Sequence, residues 1–370
     1  MADLIKSPEP KKGKKTKRIM DRKSDIRGLS YEELEKIIIR EGLPLYRARQ
    51  IYSWLYLKKV DCFRQMSNVP SDLINRLESL FQLTALDCMK KMESKDGSLK
   101  FLFKLNDGHF VESVLIPSKK RNTICISTQI GCPWHCLFCA SGKDGFTRNL
   151  KAGEIVGQLI SVQQITGKQV NNIVFMGMGE PLNNYFRLMK AIGIINDERG
   201  INIGARRMTI STCGIIPGIK RLAENPLQVE LSVSLHAADD KTRTFLMPVN
   251  RQFPIKKLIA ACRQYTEKKN RQITFEYLML KGINDSKEQA KKLCSLISDF
   301  KSKVNLIIYN PIPNLGNNSF ILFPSEEAAV LSFQRVLKKS YIPVTVRYSK
   351  GQDIAAACGQ LRRQFSNRIS

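Results

Sequence analysis

No apolar run in this chain approaches the roughly 20 residues that a membrane-spanning helix needs, and its first residues lack the apolar stretch of a secretory signal. A cytoplasmic protein with no membrane partner is therefore expected. Acidic side chains are in short supply: 33 Asp and Glu stand against 60 Lys and Arg, for a formal net charge of +27 over 370 residues. That excess goes well beyond the needs of solubility and points to a polyanionic partner, nucleic acid first. The first 23 residues hold nine basic and three acidic side chains, leaving a net +21 on the other 347. The basicity thus belongs to the folded body as well as to the tail. Ten cysteines lack the spacing of a small disulfide framework and read as reduced thiols. Only three histidines occur, and the paired C-x2-C units that close most structural zinc sites have no second member here.

What the chain does have is a crowd of thiols between Gly131 and Cys139, where GCPWHCLFC sets Cys132, Cys136 and Cys139 at C-x3-C-x2-C spacing. Thiolates this close suit an iron-sulfur cluster. A four-iron cube ordinarily takes four cysteines, so a triad would leave one iron open to another ligand. Structural zinc is the alternative, with His135 as a cramped fourth ligand between two of the cysteines.

In chain order, residues 1–23, including KKGKKTKR, have too little apolar content to fold alone and read as a disordered basic arm. Ser30 and Glu33 form an S-x-x-E capping box ahead of Leu34 and Ile37 to Ile39, and Gly42 ends that helix. A second helix is expected from Leu45 to about Lys58. Its basic residues interleave with Tyr46, Tyr52, Trp54 and Tyr56, which serve either as core or as stacking surfaces for RNA. Pro70 and Ser71 open a third helix carrying Leu73, Leu77 and Leu80 on one side. From Leu99 the period drops to two, with turns at Asp96-Gly97 and Asp107-Gly108, so two paired strands are expected. In the second, Glu112 shares a face with Phe110, Val114 and Ile116: either a sheet-edge carboxylate or a base aimed into a site.

Beyond Asn122, strand patterns at 123–128, 172–176, 207–211, 228–234, 273–280 and 304–309 alternate with helical ones such as 152–166, 254–268 and 286–300. Six βα units fit an α/β fold with a parallel, partial barrel; eight units are not supported. Ligands of such sheets gather where strands end and loops begin. Cys132 to Cys139, Gly177 to Glu180, Ser211 to Gly214, Ser234 to His236, and Asn310-Pro311 all fall at such ends.

With these residues in view the sequence resembles the radical S-adenosylmethionine (SAM) superfamily, and within it the bacterial adenine carbon-2 methyltransferases of 23S ribosomal RNA and transfer RNA. QIGCPWHCLFCASGKDGFTRNL, FMGMGEPLNN, STCGIIP, SLHA and DIAAACGQL carry the likeness, which spans residues 28 to 361. The resemblance implies a helical accessory RNA-binding domain over 24–82, a β-hairpin linker over 83–121, a partial (β/α)6 radical SAM barrel over 122–350, and a C-terminal segment, 351–370, bearing Cys358. It also implies that Cys132, Cys136 and Cys139 hold a [4Fe-4S] cluster, and that Gly179, Glu180, Ser211, Ser234, Leu235, His236 and Asn310 line a SAM pocket. Two SAM molecules serve each turnover: one methylates Cys358, and the other yields a radical that activates that methyl for addition to the base. Glu112 then accepts the ring proton, and Cys125 attacks the linked Cys358, leaving a disulfide. An electron donor such as flavodoxin or ferredoxin and a disulfide reductant are implied partners.

Read without these motifs, Cys125 and Cys358 are small buried hydrophobes. Cys62, Cys88, Cys262 and Cys294 have no motif context and are expected only to pack, and Cys213 beside Ser211 has no clear role. The competing functions are the sister carbon-8 adenine methyltransferase and a non-catalytic, zinc-stabilised RNA-binding protein. If the basic body and arm grip phosphates, affinity for RNA should fall steeply with salt, the logarithmic slope growing by roughly 0.7 to 0.9 for each phosphate neutralised. Filter binding across a salt series measures this. Deleting residues 1–20 should weaken binding moderately without moving the modified base; a moved base would show that the arm selects the target.

Overall fold

The computed structural model describes residues 23–83, 85–119, 121–312 and 321–361; most of the basic arm and the last nine residues lie outside them. The N-terminal helices form where caps and apolar spacing dictate. Ser30 Oγ accepts from Glu33 N–H and Glu33 returns to the Ser30 N–H, closing the capping box ahead of α1 (Tyr31–Arg40). Helix α2 (Tyr46–Ser53) runs on as a π-helical turn, Trp54–Lys58, that stops at Lys59 with φ of 57°. Pro70 caps α3 (Ser71–Leu80). Tyr52 and Tyr56 are buried, so two of the four aromatics considered for RNA stacking are core. Tyr46 is the exposed one, under the Arg47 guanidinium. A short parallel pair, β1 (Ser24–Asp25) with β2 (Phe81–Gln82), ties the two ends of this helical unit together.

The body is one open ten-stranded sheet. Three antiparallel strands come first: β3 (Asp87–Glu93), β4 (Leu99–Lys104) and β5 (Phe110–Pro117). Next is β6 (Asn122–Cys125), which pairs antiparallel with β5 on one side and parallel with β9 (Asn172–Phe175) on the other. From there the sheet is parallel through β10 (Met208–Thr212), β11 (Glu230–Ser234), β12 (Ile273–Met279), β13 (Ser302–Ile308) and β14 (Val344–Arg347). A small antiparallel pair, β7 (Gln129–Gly131) with β8 (Phe146–Asn149), brackets the cysteine loop. Helices α4 (Ala152–Thr166), α5 (Tyr185–Asn196), α6 (Ile216–Glu224), α7 (Asp240–Leu246), α8 (Ile255–Lys269), α9 (Lys287–Ile297) and α10 (Glu327–Lys339) supply the crossovers.

All six expected parallel strands are present. Two features differ from the sequence reading. The hairpin expected as a linker is built into the main sheet, because β5 finds a partner in β6 rather than ending in solvent, and β3 adds a third strand to it. Strand β14 extends the parallel run by one more; its four residues, half of them exposed, alternate too briefly to register as a strand pattern.

The core lies between the sheet and its helices. Every residue of β12 is buried, the signature of a central strand covered on both faces. Phe275 sits on it fully enclosed, its ring edge-on to Phe300 at 6.1 Å. Replacing Phe275 by Ala should cost about 3–5 kcal/mol through lost burial and the cavity left behind, read as a lower urea midpoint. A loss below about 1 kcal/mol would mean that the site collapses around the smaller side chain.

Candidate active site

The strand ends of the parallel sheet open on one cavity, walled by the cysteine loop and by the ends of β9 to β13. Local backbone geometry explains why the loop can stand there. Gly131 has φ of 73°, and a Cβ on it would lie 1.8 Å from the Gly145 carbonyl oxygen, the atom that accepts from Cys132 N–H. Only glycine lets β7 turn into the loop against β8. Gly179 is constrained likewise, with φ of 100° and Gln129 Cβ 2.4 Å from where its own would be. That close approach lets Gln129 Oε1 accept from Glu180 N–H at 2.7 Å while its amide donates to Asn149.

Cys132, Cys136 and Cys139 all face the cavity. Burial pushes the Cys132 thiol up to about 12, with the Cys139 thiolate adding to it. Cys136 is raised well above its ordinary value by burial and by both of its partners, and burial raises Cys139. A cation that takes such thiols as ligands releases their protons, which is how metal binding couples to proton release. Among the described residues no three His, Cys, Asp or Glu groups converge on a point that a single ion could occupy. His135 is exposed and does not wall the cavity, so no Cys3His zinc site is formed. A triad of separate thiolates facing one space fits a cube that offers a different iron to each. Trp134 Nε1, buried in the same loop without a partner, is a further sign that the space takes a ligand.

Gly179, Glu180, Ser211, Ser234 and His236 also wall the cavity. Glu180 is 3% exposed, and its two oxygens accept from Leu182 N–H at 2.9 Å and Cys213 N–H at 2.7 Å. Burial nevertheless raises its pKa, the backbone donors opposing the shift. A carboxylate has lone pairs to spare beyond these two bonds, so it can still receive an ammonium group. His236 stands at φ of 55°, with Nδ1 accepting from Leu278 N–H at 2.9 Å and its ring edge-on to Phe138 at 4.8 Å. Its remaining proton is therefore on Nε2. Burial, and then the Arg243 charge, push it down to about 3.

Leu235 and Asn310 are not in the wall. Leu235 is fully buried behind it, with its N–H donated to Glu276 O and its carbonyl accepting from Arg243. Asn310 donates to Ile308 O, and it is the neighbouring Tyr309 that reaches the cavity.

Cys358 does face the cavity, on a segment running from Gly351 to Leu361. Its side chain is open to that space, yet the surrounding protein still raises its thiol, chiefly by desolvation. Cys125, at the end of β6, is buried beneath. Its thiol is pushed up to about 12, first by burial and then by the charge of Cys358 close by. Both thiols are free, as are all ten cysteines. Glu112 lies on β5, 3% exposed, and pairs with Lys100 at 2.7 Å. Cys62 and Cys88 correct the expectation that they pack, because both are exposed; Cys262 and Cys294 are buried.

Three residues of this site went unread in the sequence. Arg243, fully buried on α7, donates to the carbonyls of Cys213, Ser234 and Leu235 and to Asn250 Oδ1, lacing the loops after β10 and β11 together. Glu276 and Arg347 face the cavity from β12 and β14, and Glu276 Oε2 has no partner. Each looks in sequence like an ordinary charged residue of a helix or strand; no local signal separates them from surface charges.

A parallel sheet with a cysteine triad at its carboxyl rim defines a radical SAM protein, and residues 126–294 match the Radical SAM superfamily. Residues 24–83 match the ribosomal RNA large subunit methyltransferase N-terminal domain. The chain is 44% identical to the probable dual-specificity RNA methyltransferase RlmN of Staphylococcus carnosus, over 94% of this chain and 95% of that one. It is also 44% identical to the protein of the same name from Halalkalibacterium halodurans, over 90% and 92%. A crystal structure of a radical SAM methyltransferase from Sphaerobacter thermophilus superposes with a TM-score of 0.87 at 42% identity, covering 92% of this chain and all of that one. The chain belongs to the RlmN family of radical SAM methyltransferases. That membership implies a [4Fe-4S] cluster and SAM as cofactors. No helix among the described residues is long and apolar enough to cross a membrane.

A buried neutral histidine makes stability depend on pH. Between pH 6.5, its ordinary value, and about 3, the unfolded chain binds a proton that folded His236 refuses. Stability should therefore fall as pH drops through that window, by about 1.4 kcal/mol per unit. His236→Gln, which keeps an acceptor for Leu278 N–H, should flatten the fall in urea midpoint between pH 6.5 and 5. An unchanged slope would show that His236 is not held neutral.

Proposed function

We propose that this protein methylates carbon 2 of an adenine in 23S ribosomal RNA and in transfer RNA, acting in the cytoplasm, with Cys358 as methyl carrier. The observation that carries the reading is the placement of two free thiols, Cys358 in the cavity wall and Cys125 buried at the end of β6 on the sheet face that carries Glu112. Carbon 2 is electron-poor, so direct displacement from SAM has no nucleophile there; a sulfur that first takes the methyl group and then links to the base removes that obstacle.

Cys132, Cys136 and Cys139 would hold the cluster, and Gly179, Glu180, Ser211, Ser234 and His236 would surround SAM, with Glu180 able to accept from its ammonium. Leu235 and Asn310, assigned to that pocket by resemblance, support it from behind and beside the wall. Cluster and SAM together supply, when bound, a carbon radical able to take hydrogen from an unactivated methyl group. Two SAM molecules would serve each turnover, the first able to give its methyl group to Cys358.

The protein's own groups do the rest. Cys358 Sγ carries the carbon to the base and stays linked to it. Glu112 accepts the proton leaving the ring carbon. The addition leaves one unpaired electron, which the bound cluster would take back; Cys125 then attacks Cys358 Sγ, the sulfur–sulfur bond forming as the sulfur–carbon bond breaks, and the freed carbon takes a proton to complete the methyl group, leaving a disulfide as the methylated RNA departs. Burial, and after it the neighbouring Cys358 sulfur, raises the Cys125 thiol. A dithiol reductant resets the pair, and a flavodoxin or ferredoxin type of donor supplies electrons to the cluster.

Cys358→Ala cannot carry the methyl and should form no adduct. Cys125→Ala should load Cys358 and link to the base but fail to let go, so that denaturing gels with radiolabelled RNA show a covalent band. The double variant should match Cys358→Ala, as expected of residues acting in sequence. Equal bands from both single variants, or turnover by Cys358→Ala, would remove these roles. Mass analysis of RNA from the wild-type reaction should place the methyl on carbon 2; on carbon 8, the sister activity would take its place.

A further inference from the structure

Lysine is seldom buried in a strand without a reason. Lys100 on β4 is 5% exposed, and its ammonium lies 2.7 Å from Glu112 Oε1. The same nitrogen donates to the Ala355 carbonyl at 3.0 Å, three residues before Cys358. Strand register explains the meeting. Lys100 and Cys125 both stand opposite Val114, and Glu112 is two residues from Val114, so all three side chains leave the same face of the sheet. Ala355 is held at φ of 51°, a conformation an alanine keeps only when its surroundings impose it. Its neighbours are fastened to the hairpin too: Asp353 accepts from Ser94 Oγ at 2.5 Å and Lys95 N–H at 3.1 Å, and Gly351 N–H donates to Asp96 at 2.7 Å.

We propose that Lys100 is a positioning residue for RNA methylation: one ammonium joins the Glu112 carboxylate to the loop that presents Cys358, so base and methyl carrier are set against each other as a unit. The inference rests on the roles given above to Glu112 and Cys358. An ammonium has three donors, enough to hold the carboxylate and the Ala355 carbonyl at once.

The test uses full-length, cluster-loaded protein. In Lys100→Met, hydrogen exchange over 351–361 should quicken by roughly tenfold, the order expected for one lost charge-assisted hydrogen bond, while visible absorption and circular dichroism stay as in wild type. Glu112→Gln should lower RNA turnover by about a hundredfold or more. If Lys100 acts through Glu112, the double variant should be no slower than Glu112→Gln alone. Unchanged exchange over 351–361 in Lys100→Met would overturn the tether, and losses that multiply would overturn the coupling. Should Glu112→Gln turn over normally, the base assignment fails, and the exchange result still decides the tether. If Lys100→Met does not fold, Lys100→Gln, uncharged but still a donor, takes its place with the same expected non-additivity.

Discussion

The site depends on a short stretch of chain, 351–361, being laid across the open end of the sheet. Apart from a single 3-10 turn this stretch has no regular structure of its own, so it holds its course only by what it touches. One margin is fastened to the β3–β4 turn and Lys100. The other is fastened to the cysteine loop, where Ala140 N–H donates to Gly359 O and Ser141 Oγ donates to Leu361 O, each at 2.7 Å. Hydrogen bonds contribute only about 1 kcal/mol apiece, whereas ordering a residue costs that much or more. Burial of Ala356, Ala357 and Leu361 has to offset the difference. The segment therefore keeps its place by contacts on both margins.

Electrostatics gives the cavity its second character. Burial keeps thiols protonated, His236 neutral and Glu180 reluctant to ionise. Glu276 and Arg347 add formal charge to the wall, their ion pair spanning 3.8 Å, and behind the wall stands a third charge. That charge is Arg243, a fully buried guanidinium whose bonds run to backbone carbonyls and an amide. Removing a guanidinium from water is costly, and here the backbone carbonyls and the Asn250 amide take up its donors. Burial lowers its pKa, whereas Cys213 and Cys136 pull it back up.

Much of this architecture is legible in the sequence because it is local. The Ser30 capping box, the βα alternation after Asn122 and the spacing of Cys132, Cys136 and Cys139 are short-range patterns, and each has one favoured physical reading. Even the glycines at 131 and 179 announce turns at strand ends, where an α/β sheet keeps its ligands. Resemblance carried Cys125, Cys358 and Glu112, whose roles no local pattern discloses.

Chain order and residue spacing by themselves determined that a thiol triad would stand at the rim of a parallel sheet, since strand period and helix period are written residue by residue. Tertiary structure alone decided that the hairpin joins that sheet, that Leu235 lies behind the wall instead of in it, and that Arg243 laces the loops. It also decided that Lys100, a strand lysine like any other on paper, lies buried between Glu112 and the Cys358 loop. The physical reason is that burial and pairing between residues far apart in the chain depend on register and on which faces are covered, and a one-residue change of register would turn strand residues such as Lys100 and Glu112 to the opposite face.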